Sequence, residues 1–211
     1  MRKTLSMLNK LAFGCLLILI VLIACTKNRT PLPIIGDRTL PDGSIEKHEI
    51  RSWTFQNQLG ETISKKSLDG QIYLVDFFFT SCPSICPFVT REMLRIYNHV
   101  ATYEDVVLAS FTIDPKRDSV SVLKTYSDNL DLDPDRWLFL TGDKDLVMDI
   151  ANEDYFVAAL VAPDAPGGFD HSGKIILVDK KGQIRGFCEG TDSDSVNGMM
   201  DMIDQLRSEY E

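Results

Sequence analysis

The hydrophobic residues of the chain follow two alternating patterns from about residue 49 onward. Residues 72–79 and 106–113 form nearly all-apolar runs rich in aromatic and β-branched residues, as is typical of strands buried on both faces. Between these runs, apolar residues follow the spacing of one helix face, at Phe88, Val89, Met93, Leu94 and Tyr97. This alternation predicts an α/β fold built around a buried sheet.

Further elements flank the two apolar runs. Residues 49–57 predict a strand, and the Gln-Leu-Gly-Glu turn that follows predicts the opening of a hairpin. After the second run, Asp118 or Ser119 can cap a helix that extends to about Asn129. The residues expected on its inner face are Val120, Leu123 and Tyr126.

The C-terminal third continues the alternation. After another apolar strand, Asp143 can cap a helix through Ala151. Residues 174–179 and 183–188, joined by a Lys-Lys-Gly turn, predict an antiparallel hairpin. Residues 192–208 predict a closing helix with these residues facing inward: Val196, Met199, Met200, Ile203 and Leu206. Together these elements predict an α/β sandwich with a central mixed sheet flanked by helices.

The N-terminus has the pattern of a bacterial lipoprotein signal peptide. A basic region with Arg2, Lys3 and Lys10 precedes an uncharged apolar run of 14 residues. This run is shorter than the about 18–20 apolar residues that a membrane span needs. The run ends in Leu-Ile-Ala-Cys, which resembles a lipobox, so Cys25 would become the lipidated first residue of the mature protein. An uncleaved anchor helix is the alternative. Both interpretations place the rest of the chain outside the cytoplasm, lipid-anchored or held at the cell membrane and facing the periplasm or cell exterior.

The predicted organisation has three parts. Residues 1–24 form the lipoprotein signal peptide, residues 25–48 the lipidated cysteine and a tether with three prolines and two glycines, and residues 49–211 one folded domain. The apolar pair at 34–35 suggests that part of the tether packs down. The chain has a net charge of −9, and loss of the three cations of the signal peptide makes it −12. Nucleic acid is therefore not an expected partner, because phosphate binding needs clustered Lys and Arg.

The segment FFFTSCPSICPF, residues 77–88, carries the candidate chemistry. Cys82 and Cys86 lie four apart, between a buried strand and a helix in which Pro87 suits the first position. This spacing can aim both sulfurs at one point, and a helix N-terminus favours the thiolate. Two such thiols could form a structural disulfide, exchange disulfides with a partner, or bind a soft metal ion.

A third metal ligand would have to come from a histidine elsewhere in the chain. His48 and His99 are expected to be solvated side chains, whereas His171 lies at the mouth of a strand after a flexible loop. Two thiolates and one imidazole suit Cu(I) or Cu(II); a histidine that only caps its loop is the alternative for His171. Cys188 is expected to be a small buried residue, and the remaining cysteine lies in the signal segment.

Three motifs, in order, resemble the SCO/SenC family of copper proteins involved in cytochrome c oxidase assembly. They are FFFTSCPSICPFVTREM, TIDPKRDSV and FDHSGKIILVDKKGQIRG, and the resemblance extends from about residue 45 to the C-terminus. It implies a thioredoxin-like fold with an added N-terminal hairpin. It also implies that Cys82, Cys86 and His171 bind one copper ion. A dithiol that releases copper can be oxidised, so Cys82 and Cys86 are also expected to form a redox disulfide.

The resemblance implies a metallochaperone without turnover, which delivers copper to the binuclear copper site of an oxidase. Its partners would be the copper-bearing subunit of cytochrome c oxidase and other periplasmic copper donors. The alternative is a thiol-disulfide oxidoreductase that keeps the copper-site cysteines of the oxidase reduced. A peroxidase of the peroxiredoxin type fits poorly, because Val75 and Asp76 stand where a proline is wanted. Asp114 is expected to end a strand rather than bind metal, and Asp170 could orient the ring of His171.

Overall fold

The computed structural model describes residues 30–211, and its compact unit extends from Leu32 to Glu211. The predicted signal peptide, the lipidation site Cys25 and the first residues of the tether lie outside the described residues and stay predictions. Within the part that the structure describes, no helix has the length and apolar character needed to cross a membrane.

The described residues form eleven strands, of which five build a central sheet and the others form short two-stranded pairs. They are β1 (Arg38–Thr39), β2 (Ile45–Glu46), β3 (Thr54–Gln56), β4 (Thr62–Ser64), β5 (Ile72–Phe78), β6 (Val106–Thr112), β7 (Trp137–Leu140), β8 (Ala159–Val161), β9 (Phe169–His171), β10 (Lys174–Val178) and β11 (Ile184–Glu189). The helices are α1 (Cys86–His99), α2 (Val120–Asn129), α3 (Lys144–Asp149), which continues into a π-helical turn (Ile150–Asp154), and α4 (Ser193–Ser208).

The central sheet has the strand order β11-β10-β5-β6-β7. Strands β5, β6 and β7 are parallel. On the other side of β5, β10 pairs antiparallel with β5, and β11 pairs antiparallel with β10. All seven residues of β5 are buried, as its apolar sequence predicts for a strand covered on both faces. The predicted mixed sheet flanked by helices is therefore confirmed.

Helices α2 and α3 begin at the predicted positions, but only the Asp143 cap is made by a side chain, since the Ser119 side chain makes no capping hydrogen bond. The Asp143 carboxylate accepts a hydrogen bond of 2.8 Å from the backbone N–H of Leu146, and α2 begins directly after Ser119. The inward face of α4 is buried as predicted except for Met200, which is half-buried. On α1, Phe88 is 52% exposed, so the prediction is wrong there: this residue is in the first turn, on the outer side of the helix.

The N-terminal hairpin is present but its first strand is shorter than predicted. Only Thr54–Gln56 of residues 49–57 pairs with β4. Arg51 instead directs its backbone N–H and its guanidinium to the Asp154 carboxylate, at 3.0 and 2.8 Å. This contact holds the chain at Arg51 against the π-helical turn instead of against β4.

The compact unit begins within the segment predicted as a tether. The backbone N–H of Ile35 donates to the carbonyl of Ile184, so part of this segment packs down as expected. The buried guanidinium of Arg185 donates to the carbonyl oxygens of Leu32 and Pro33 and to the Glu209 carboxylate. This side chain therefore holds residues 32–35 against the domain.

Candidate metal centre

The two site cysteines lie on the loop that connects β5 to α1. The Cys82 backbone N–H donates to the Phe79 carbonyl at 3.2 Å, which turns the chain directly after the strand. Helix α1 begins at Cys86, so Pro87 occupies its second position. The predicted first position is therefore wrong by one residue. The reason is that Ile85 already has helical backbone angles, and its carbonyl accepts from both Phe88 and Val89.

The third site residue, His171, lies on a separate hairpin formed by β8 and β9. Strands β8 and β9 pair antiparallel, and His171 is the last residue of β9, opposite Ala159. Its Nε2 lies 3.5 Å from the Cys86 Sγ. The candidate ligand atoms of Cys82, Cys86 and His171 all lie within 4.8 Å of one another. The fold thus brings His171 next to two cysteines that precede it in the sequence by 85 or more positions.

The second ring nitrogen of His171 faces a backbone carbonyl. Its Nδ1 lies 3.3 Å from the Ser172 oxygen, so a proton on Nδ1 leaves the lone pair of Nε2 directed at the thiols. Asp170 does not fill the predicted orienting role. Neighbouring strand residues point to opposite faces, and Asp170 is exposed while Phe169 and His171 both contact the Phe79 ring.

Comparison with known protein families gives the identity that this geometry suggests. The family model described as SCO1/SenC matches residues 42–207, which is most of the chain. The chain belongs to the SCO1/SenC family.

The relatives of this SCO1/SenC protein share its fold. It is 34% identical to the SCO1 protein homolog of Bacillus subtilis over 138 residues, which are 65% of this chain and 72% of the relative. BsSco, a member of the Sco family of cytochrome c oxidase assembly proteins, is similar with a TM-score of 0.68 and 27% identity, over 84% of this chain and 98% of BsSco. Yeast Sco1 with copper bound gives a TM-score of 0.60 and 26% identity, over 74% of this chain and 89% of Sco1. The predicted thioredoxin-like fold is confirmed.

The two thiols of the SCO1/SenC site have opposite acid–base properties. Burial alone would raise the pKa of the Cys82 thiol, but hydrogen bonds from the side chain and backbone of Cys86 and from Ser84 outweigh it and lower that pKa to about 6. Burial, and then the neighbouring Cys82, raise the pKa of the Cys86 thiol well above its usual range. The first thiolate of the pair therefore forms on Cys82, stabilised by the thiol of Cys86.

A buried carboxyl near the site was missed in the sequence analysis. Asp76 stands in the middle of β5 and is 4% exposed. It accepts a hydrogen bond from the Ser110 hydroxyl, which in turn accepts from the Trp137 indole N–H at 2.8 Å. Burial raises the pKa of Asp76 to about 6, although the Ser110 hydrogen bond opposes the shift. The signal available in the sequence was the presence of one carboxylate within an otherwise apolar strand.

The second motif, TIDPKRD, forms a tight turn after β6. The backbone N–H groups of Arg117 and Asp118 both donate to the Asp114 carbonyl, at 3.0 and 2.9 Å. The Asp114 carboxylate lies 3.1 Å from the Arg117 Nη1. This supports the expected role of Asp114 in ending the strand and forming the turn.

The remaining histidines each have a hydrogen-bonding partner outside the site, and Cys188 is buried. His48 is half-buried and its Nε2 is 2.7 Å from the Asp154 carbonyl, and the Nε2 of His99 is 3.0 Å from the Asp204 carboxylate. The prediction that both are simply solvated is therefore wrong, because each has a fixed partner. Cys188 is buried in β11, as predicted, and burial raises its pKa to about 12.

Proposed function

We propose that this SCO1/SenC protein is a copper metallochaperone, anchored to the membrane through a lipidated Cys25. It binds one copper ion through Cys82, Cys86 and His171 and delivers it to the binuclear copper site of a cytochrome c oxidase during assembly. The observation that carries the proposal is the convergence of two sulfurs and one imidazole nitrogen within 4.8 Å. The copper-bound form of yeast Sco1 and the place of BsSco among oxidase assembly proteins support it.

The chemistry of the ligand set favours copper over harder ions. Thiolates select soft ions such as Cu(I), and imidazole suits Cu(II), so an S₂N set can hold copper in both oxidation states. The lowered pKa of Cys82 supplies one thiolate near neutral pH, ready to bind a cation. The high pKa of Cys86 means that copper must displace its proton, so binding is expected to release a proton near pH 7.

Release to another protein requires that a partner can reach the sulfurs. A surface groove of about 330 Å³ lies beside both cysteines and is lined by Phe79, Thr90 and Tyr126 among others. A ligand side chain of the copper-bearing oxidase subunit, or of a periplasmic copper donor, would approach the site through this groove. Both partners would meet the domain on the outer side of the membrane.

One observation favours a second function, the reduction of the oxidase cysteines. Cys82 combines a lowered pKa with an adjacent thiol, which is the arrangement of a nucleophilic and a resolving cysteine. The Cys82 thiolate would attack a disulfide of the partner, and Cys86 would then displace the partner thiolate. The two protein thiols become a disulfide, and the partner disulfide becomes two thiols. This reaction does not need His171.

Assays of oxidase activity in cells distinguish the two functions. Strains carrying His171→Ala, Cys82→Ala or the control His99→Ala are compared at limiting copper and equal abundance of the protein. A copper chaperone loses as much activity through His171→Ala as through Cys82→Ala, while His99→Ala stays normal. Near-normal activity of the His171→Ala strain would refute copper delivery and support the reductase.

A titration tests the copper site itself. The purified reduced protein is expected to bind one copper per chain, and the Cu(II) form should be coloured by charge transfer from thiolate to metal. Saturation far below one equivalent, or a colourless Cu(II) form, would contradict the proposed ligands.

A further inference from the structure

The turn formed by residues 114–118 contacts the loop that carries the thiols. The Asp118 carboxylate is fully buried and accepts hydrogen bonds from the Thr80 backbone N–H at 3.0 Å and from the Thr80 hydroxyl. It also accepts from the Thr112 hydroxyl at the end of β6. Since Thr80 precedes Cys82 by two residues, this carboxylate fixes the start of the thiol loop.

The same turn contacts the hairpin that carries the imidazole. The Arg117 Nη1 lies 3.1 Å from the Asp114 carboxylate and donates to the Gly167 carbonyl at 3.2 Å. Gly167 is in the loop that connects β8 to β9, four residues before His171. Consecutive residues of one turn, Arg117 and Asp118, therefore hold the two halves of the site.

The other end of this hairpin has a separate attachment. The Asn152 side chain bonds to both the N–H and the carbonyl of Ala159, at 3.1 and 2.9 Å, and Ala159 is paired with His171. The amide of Asn152 thus behaves like a neighbouring strand at the base of the hairpin. Arg117 adds a side-chain hydrogen bond to the connecting loop, so its removal should loosen the hairpin without detaching it.

We propose that Arg117 is a positioning residue, which sets the distance between His171 and the two thiols by tying the β8–β9 loop to the turn that holds the thiol loop. The inference rests on the proposed copper site, but it concerns a residue that is not one of the proposed copper ligands. Without the hydrogen bond from Arg117 to Gly167, His171 spends less time within bonding distance of the metal. Cu(II), which depends on the imidazole more than Cu(I) does, should be affected most.

The test compares Arg117→Ala with Arg117→Lys and the control Lys124→Ala. Lys124 is an exposed cation on α2 paired with Asp128. Lys124→Ala therefore removes one positive charge, as Arg117→Ala does, but from a pair that does not involve the β8–β9 loop. An ammonium group at position 117 can still bridge a carboxylate and a carbonyl oxygen. Arg117 is itself 58% exposed in its side chain, and thermal unfolding of the three variants verifies that each is folded before copper is added.

Two measurements are made on each variant. In the reduced, copper-free protein, hydrogen exchange of the Ala162 amide, which donates to Gly168, should be faster in Arg117→Ala only. In the loaded protein, Cu(II) should dissociate about three- to tenfold faster in Arg117→Ala, the effect of one lost hydrogen bond. Cu(I) dissociation should change less than twofold, and Arg117→Lys should restore most of the Cu(II) retention.

Three results would overturn the inference. They are unchanged exchange and Cu(II) dissociation in Arg117→Ala, an equal loss of Cu(I) and Cu(II), or the same effect in Lys124→Ala. If the parent protein binds no copper, the proposed function fails. The exchange measurement then still decides whether Arg117 restrains the hairpin.

Discussion

Gly167 lies so close to the Phe79 ring that a Cβ atom on this glycine would be 2.6 Å from the ring's Cε2. The ring of Phe79 also contacts Phe169 and His171. One aromatic side chain directly after β5 therefore supports the hairpin at its connecting loop and at the imidazole.

This contact predicts a difference between two neighbouring glycines. Gly167 and Gly168 both have positive φ angles, of 83° and 89°, but a Cβ on Gly168 meets nothing within 4 Å. Gly168→Ala should cost about 1–2 kcal/mol of folding free energy, from backbone strain alone. Gly167→Ala adds overpacking against Phe79, about 1–3 kcal/mol more, and should weaken Cu(II) binding. Urea unfolding and copper titration of both variants check this; equal effects would show that Phe79 does not support the hairpin.

The oxidation state of the thiols should control copper binding. A disulfide between Cys82 and Cys86 removes both thiolates while closing only a local loop, so the fold should persist without copper affinity. Copper at a thousandfold excess over its dissociation constant should stabilise the reduced protein by about 4 kcal/mol and the oxidised protein not at all. Calorimetry of both forms provides the measurement. Equal shifts in melting temperature would place the copper elsewhere.

The pH dependence of alkylation should separate the two thiols. In the copper-free protein, Cys82 should react with iodoacetamide as the pH rises through about 6, while Cys86 stays a thiol at neutral pH. Cys86→Ala removes the hydrogen bond that stabilises the thiolate, so the midpoint for Cys82 should rise towards its ordinary value of about 8.5. Cys86→Ser retains a donor and should give a smaller rise. Mass spectrometry of the modified peptides follows both residues; preferential labelling of Cys86 in the parent protein would contradict the assignment.

The buried Asp76 should make folding stability depend on pH. Its folded pKa of about 6 is higher than the ordinary value of an unfolded aspartate, about 3.9. The folded protein therefore retains a proton that the unfolded chain loses. Its contribution to stability declines as the pH rises from about 4 to 6, by about 3 kcal/mol in total.

Asp76→Asn isolates this effect, because the asparagine does not titrate. The difference in unfolding free energy between the parent and Asp76→Asn should change by that amount between pH 4 and 7, in favour of the variant at pH 7. Ser110→Ala, which removes the hydrogen bond that lowers the pKa, should move the decline to higher pH. Denaturant unfolding across this range gives the curves. A difference that is independent of pH would mean that Asp76 titrates normally.

Substitution of residues outside the proposed ligand set should not change the number of copper ions bound. Cys188→Ala leaves a small cavity in β11 and should cost about 1 kcal/mol, and His99→Ala loses the contact with Asp204. Both variants should still bind one copper per chain, as measured by metal analysis after gel filtration. Loss of copper from Cys188→Ala would require a different set of ligands.

The sequence predicted the elements of the site better than it predicted their connections. The buried β5, the start of α1 and the final hairpin follow from hydrophobic periodicity and turn residues, which are local signals. The proximity of His171 to the thiols came from a resemblance to a known family, because no local pattern records a contact across 85 residues. The bonds from Arg117 to Gly167 and from Asn152 to Ala159 likewise join residues far apart in sequence. They depend on how separate elements dock.

The length of the β8–β9 loop determines which donor atom enters the site. The hairpin has three residue pairs, Ala159 with His171, Leu160 with Asp170 and Val161 with Phe169, and successive side chains face opposite ways. A slip of one residue would exchange the face of every side chain in β9. The imidazole would then leave the thiols and the Asp170 carboxylate would take its place. Oxygen donors suit harder ions than nitrogen donors do, so the insertion of one loop residue would alter the metal preference of the site without substituting any of its three ligands.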